Sequence, residues 1–263
     1  MIQFPDVALG PLLPLIILLI TAIFATLGGL YTSRTFTAYV GVGGLVLTLL
    51  SLFSLWGKNE TAFAGSLRAD NYALIFSGIM VIGTLLCALV SLDTAKKSRL
   101  NFVEFDAILY YGLSGCVLIA FAGDLITLLI GVEVMSLATY VLATFQASKR
   151  AEEAGLKYFL LGSIGSAILI YGMALVFGAT GHFDFAGIAS AISAQGFSNT
   201  VILVAGALLM LAGFSFKVGL VPFHQWTPDV YAGSPTLVTL FMSVVVKTAA
   251  FAGFIRIFGE VLA

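Results

Sequence analysis

The chain has 263 residues, of which 60% are hydrophobic and only 10% charged, with a mean hydropathy of +1.10. A soluble domain is about 45–50% apolar and about 25% charged, so this composition excludes one and indicates an integral membrane protein. The formal net charge of −1 offers no basic surface for nucleic acid and no bias toward an acidic partner.

A bilayer core about 30 Å thick needs about 20 residues of helix. By that measure the sequence predicts eight spans, near 11–31, 36–56, 71–92, 104–122, 125–146, 154–178, 200–230 and 236–259. The first follows Asp6 with no Lys or Arg before it. A cleavable leader has a basic start and a shorter apolar core, so this run reads as a retained spanning helix. In the second span, Gly41, Gly43 and Gly44 lack the further glycine and the following acid of a nucleotide loop. Cys87 and Cys116 lie in the third and fourth spans without the spacing of a metal site, an iron–sulfur cluster or a disulfide framework. They read as small packing residues. No nucleotide, metal or redox cofactor is therefore expected in this chain itself.

Gly162, Gly165 and Ser166 in the sixth span, and Gly206 and Gly213 in the seventh, are small residues that let helix backbones approach closely. Segment 179–199 is the longest connection and mildly amphipathic, and is expected along the outer surface. The seventh span is too long for one straight crossing. It contains Pro222, which has no N–H to donate and clashes with the carbonyl of Val218, and Pro228 follows. A broken helix is predicted, with the break close to Lys217.

Loop charge sets the orientation. Arg34, Lys96, Lys97, Arg99, Lys149 and Arg150 lie on one side, against Lys58 and Arg68 on the other. Positive residues stay on the cytoplasmic side, which puts 93–103 and 147–153 inward and both termini and 179–199 outward.

Three charged residues lie deep in these spans: Glu133 in LLIGVEVMSL, Lys217 in LAGFSFKVGL and Lys247 in FMSVVVKTAA. A lone charge at a helix centre costs about 2.5–3.5 kcal/mol on insertion scales, so their retention needs a reason. One reading is paired charges that fix helix packing. The other is a proton relay. Two deep lysines face one comparably deep carboxylate, so one-to-one neutralisation does not close, and broken helices beside ionisable groups are a transporter device. His224, just past the break, adds a group able to change charge near neutrality. Lys157 reads equally well as a relay member or as a snorkelling interfacial side chain. Arg256 reads as interfacial, and His182 as a solvated loop residue.

The run VPFHQWTPDVYAGSPTLVTLFMSVVVK, residues 221–247, resembles the corresponding stretch of subunit N (the subunit 2 type) of complex I, the NAD(P)H–quinone oxidoreductases. Thr227 to Tyr231 favours that subunit over its antiporter-like sisters, which carry a Leu-Pro-Asp-Ala form. GVEVMSLATYVL (131–142) and the stretch 156–181 resemble the fifth and sixth helices of the same family. The likeness covers residues 104–259 well and the first three spans by pattern.

This resemblance implies an all-α polytopic membrane protein of about eight transmembrane helices. Residues 1–103 would form three N-terminal helices, and 104–263 one antiporter-like five-helix repeat of helices 4–8 with helix 7 broken. Family members carry a second, inverted repeat with another half-channel, so this chain is expected to match their N-terminal portion. The implied function is proton translocation driven by redox chemistry in other subunits. Glu133 would pair with Lys217; separating the pair would release the Lys217 proton toward Lys247, with Lys157 and His224 in the same relay. NAD(P)H, FMN, iron–sulfur clusters and quinone would sit in partner subunits. The partners would be other membrane-arm subunits, including sister antiporter-like subunits, and the lipid bilayer, with no nucleic acid. The location would be a bacterial plasma (inner) membrane or, alternatively, a thylakoid membrane. Two departures stand out: the family usually has an acid at Ala232 and often a proline at Leu237. Other readings are a subunit of a multisubunit cation/proton antiporter or membrane-bound hydrogenase, which share the bundle, and a non-transporting structural spacer.

Overall fold

The computed structural model describes residues 8–97, 103–146, 148–195 and 200–262. Asp6, Arg99 and stretch 196–199 of the long connection lie outside the described residues. Among those described, eight helices are long and apolar enough to cross a membrane, matching the predicted spans in order. The helices are α1 (Leu13–Tyr31), α2 (Arg34–Ser54), α3 (Asn71–Lys97), α4 (Val103–Phe121), α5 (Leu125–Thr144), α6 (Lys149–Thr180), α7 (Phe185–Gln195), α8 (Thr200–Val218), α9 (Trp226–Gly233), α10 (Thr236–Phe241) and α11 (Lys247–Ile255). A π-helical segment, Met242–Val246, joins α10 to α11, and another, Arg256–Val261, follows, so the eighth span runs continuously from Thr236 to Val261.

Local chemistry explains most boundaries. Ser33, Asp124 and Ser148 each accept a hydrogen bond from a backbone amide three residues on, capping α2, α5 and α6. Gly181, with φ of +74°, ends α6 in a left-handed conformation that glycine adopts without penalty. Helix α6 is longer than its predicted 154–178. Its 32 residues start at Lys149, adding a polar first turn that contains Glu152. The long connection contains α7, a helix whose sequence is too short to cross a bilayer.

The eight spans are not the whole secondary structure. Between α2 and α3 a small antiparallel hairpin pairs β1 (Glu60–Ala62) with β2 (Leu67–Ala69), an element not expected from the sequence. Packing brings α1 against α2 and α4, α5 against α4 and α6, and α6 against α8 and α9. The final span lies against α3, α4 and α8. Two of these contacts are backbone to backbone. A Cβ on Gly115 would sit 2.5 Å from the Met135 amide and 2.8 Å from the Gly131 carbonyl, and one on Gly131 would sit 2.9 Å from the Gly115 carbonyl. Gly172 and Gly206 make the same reciprocal contact between α6 and α8. Where lipid supplies no hydrophobic drive, this close approach is what binds helices.

Candidate functional site

The break in the seventh span is a glycine stop followed by a proline, not a proline stop alone. Helix α8 ends at Val218, and Gly219 takes a φ of +79°. The Leu220 amide donates to the Ser215 carbonyl at 2.9 Å and the Gly219 amide to Phe216 at 3.1 Å, a Schellman ending. Three residues on, Pro222 prevents any continuation. The chain resumes as α9 at Trp226.

A helix end leaves its last four carbonyls without intrahelical donors, and within a bilayer each must find another. All four of α8 are accounted for. Gly219 and Leu220 donate to Ser215, and Gly219 also donates to Phe216. The Trp226 indole N–H donates to the Phe216 carbonyl at 3.0 Å. The Lys247 ammonium donates to the carbonyls of Lys217 at 3.2 Å and Val218 at 2.7 Å. A cation at the negative end of a helix dipole is favourably placed. The Lys247 nitrogen also lies over the Trp226 ring, 4.8 Å from its centroid, and 5.9 Å from that of Tyr231.

The side chain of Lys217 points the other way, toward α5. It is only 3% exposed and donates to Ser136 Oγ at 2.7 Å and to the Tyr140 hydroxyl at 3.2 Å. Glu133, Ser136 and Tyr140 recur at helical spacing and so share one face of α5. Glu133 Oε1 is buried and has no hydrogen-bond partner. The expected direct Glu133–Lys217 pair is therefore not formed: Ser136 and Tyr140 take the ammonium instead. Aromatic rings line both lysines: Tyr140 and Phe216 lie beside Lys217, and Trp226 and Tyr231 beside Lys247. Tyr140 meets Tyr158 edge-on at 4.8 Å, Tyr158 stacks on Trp226 at 4.7 Å, and Trp226 stacks on Phe216 at 5.3 Å.

The remaining candidates lie outside this buried group. Lys157 is on the exposed side of α6, 43% accessible, and forms 2.8 Å ion pairs with Glu153 and with Asp229 of α9. Ala232 lines the same small depression as Lys157 and Asp229, beside the ion pairs. His224 is exposed in the connection between α8 and α9, where its carbonyl accepts from the Thr227 amide. His182 is half-exposed beside Asp184, as expected.

Arg256 sits at the end of its span among the ends of other elements, but inside the protein and not at its surface. It is fully buried, with its guanidinium bidentate to Asp70 at 2.8 Å, donating to the Ala120 carbonyl at 2.9 Å and lying 4.7 Å above the Tyr72 ring. Glu260 and Arg68 extend the network. Burial pushes the Asp70 carboxyl up, but the Arg256 hydrogen bonds, the Ala73 amide and the charges of Arg256 and Arg68 outweigh it and hold the group below the usual carboxylate range. A second buried pair missed in the sequence joins Arg34 of α2 to Asp106 of α4 at 3.1 Å. Ser136 and Tyr140 were legible in principle, because both fall on the Glu133 face. Nothing in the local sequence marks Asp70 as the partner of Arg256.

Residues 122–262 match the family described as NADH:quinone oxidoreductase/Mrp antiporter, TM. The NADH-quinone oxidoreductase subunit N of Deinococcus radiodurans is 56% identical over 98% of this chain and 54% of its own length. A chain of respiratory complex I from Thermus thermophilus, solved with bound aureothin, superposes with a TM-score of 0.80 at 36% identity, over 92% of this chain and 52% of that one. At 21% identity, a chain of the Mrp complex from a Dietzia species shares the fold, with a TM-score of 0.79 over 96% of this chain and 48% of its own. The chain thus spans about half the length of the curated relatives it matches. Glu133, Lys157, Lys217, His224 and Lys247 all fall in the matched region, and the chain belongs to the NADH:quinone oxidoreductase/Mrp antiporter membrane family.

Proposed function

We propose that this chain is a proton-translocating portion of a subunit N-type membrane subunit of an NADH–quinone oxidoreductase. The observation that carries the reading is the gathering of buried Lys217 and half-buried Lys247 at the end of α8. Lys217 turns its ammonium to the Glu133 face of α5, while its own carbonyl is held by Lys247. A proton on Lys217 has hydroxyl groups of Ser136 and Tyr140 in hydrogen-bond contact. The Glu133 carboxylate, whose Oε1 is buried without a hydrogen-bond partner, lies one turn along the same face. Approach or withdrawal of that negative charge biases Lys217 toward holding or releasing its proton, and Lys247 is the next acceptor. Lys157, tied to Asp229, and His224 lie toward the mouth of this path.

In this reading α4 to the final span form one antiporter-like repeat, and α1 to α3 a separate N-terminal group. NAD(P)H, FMN, iron–sulfur clusters and quinone belong to partner subunits, and sister membrane-arm subunits are the neighbours. The six-to-two loop charge bias supports an outward N-terminus, and the bacterial relatives support an inner membrane. The family description also includes Mrp antiporters. Thr227 to Tyr231 and the subunit N relatives favour the oxidoreductase, and sodium-dependent transport in reconstituted membranes would favour the antiporter instead.

The test is redox-driven acidification of inside-out membrane vesicles containing the assembled complex. Glu133→Ala and Lys217→Ala should each lower the protons moved per NADH oxidised without preventing assembly. Full pumping by both variants would reject the assignment.

A further inference from the structure

We propose that Trp226 is a positioning residue for Lys247: with the last carbonyls of α8 it completes a seat that holds the lysine ammonium at the helix break. The proposal rests on the relay reading above and adds a residue to it. Trp226 is the first residue of α9, is 3% exposed, and touches both sides of the break. Its indole N–H takes the Phe216 carbonyl, leaving those of Lys217 and Val218 for Lys247. Its ring lies beneath the ammonium, and an aromatic face attracts a cation most strongly where water is excluded.

The rest of the seat fits a single ammonium. A Cβ on Gly219 would come within 2.9 Å of the Lys247 nitrogen and 3.1 Å of Thr227 Oγ1, so a glycine leaves the room the lysine occupies. Thr227 Oγ1 is itself buried without a hydrogen-bond partner. Trp226 is held in turn by stacking against Tyr158 and against Phe216. Its place is thus set by α6 and by α8, the helix that carries Lys217. When Lys247 leaves the seat, two carbonyls and a ring face lose their cation, so the seat biases where the lysine rests between transfers.

The experiment compares Trp226→Phe, Trp226→Leu and Lys247→Met in the assembled complex. It measures NADH oxidation and the protons moved per NADH in inside-out vesicles. Phe keeps a ring but loses the N–H; Leu loses both. Removing the ring should make the unseated lysine roughly tenfold more populated. Trp226→Leu is expected to retain NADH oxidation while losing most of the pumping, with Trp226→Phe in between. A merely structural role would lower the amount of complex without changing protons per NADH in what remains. Should Trp226→Leu fail to assemble, a partial loss of protons per NADH in Trp226→Phe supports the seat, and an unchanged ratio overturns it. Normal pumping by Trp226→Leu alongside a defective Lys247→Met overturns the seat but not the relay. Normal pumping by Lys247→Met overturns both.

Discussion

At the scale of single residues, the buried charges separate into two kinds by what they touch. Lys217 is held by the neutral hydroxyl groups of Ser136 and Tyr140, on the face of α5 that carries Glu133, and among the described residues no fixed ion pair holds it. Ser136→Ala removes one of two hydrogen bonds to the ammonium and should reduce proton pumping, but less than Lys217→Ala does, when both are compared in vesicles at equal complex content. Arg256 and Asp70 are the opposite kind. Their bidentate pair is fixed and keeps its charge, since arginine is always protonated. The pH dependence follows from the lowered Asp70 value. A carboxylate depressed by folding contributes stability that is complete above its ordinary value near 3.8 and is lost as pH falls through the lower folded value. Asp70→Asn should therefore lower the thermal midpoint of the purified complex at neutral pH. The gap to wild type should narrow as the acid limb is reached, below about pH 4.

At the scale of elements, glycine explains both the break and the helix contacts. Gly219 is in the left-handed region, where a side chain costs about 1–2 kcal/mol. Gly219→Ala adds to that strain a methyl group against the Lys247 nitrogen. It should impair pumping more than assembly, as read by protons per NADH against complex content. Gly206 has the opposite signature. A side chain there meets the Gly172 carbonyl and the Val176 amide, which are backbone and cannot turn aside. Gly206→Leu should separate α6 from α8 and lower the amount of assembled complex seen on native gels. The position of the break was legible because Pro222 forbids helix at a known offset. The capping of the last two carbonyls of α8 was not, because their donor is Lys247, whose partner Lys217 lies 30 residues away in sequence.

At the scale of the whole molecule, ion pairs tie distant spans together at two places. Arg34 and Asp106 join α2 to α4, and Arg256 joins the final span to the residue before α3 and to the end of α4. Removing one partner of a buried pair strands the other charge, at a cost of about 3–5 kcal/mol. Asp106→Ala should therefore lower the thermal midpoint of the detergent-solubilised complex clearly. If the midpoint is unchanged, the pair is not holding α2 to α4. Membrane class, the eight spans and the seventh-span break follow from the sequence alone, because hydrocarbon demands a fixed length of apolar helix and proline has no amide hydrogen to give. The tertiary structure decided the partners: Ser136 and Tyr140 for Lys217, two carbonyls and an indole for Lys247, Asp70 for Arg256. An apolar run records that a helix lies in the membrane but not which neighbours it has, and a buried charge takes its partners from those neighbours.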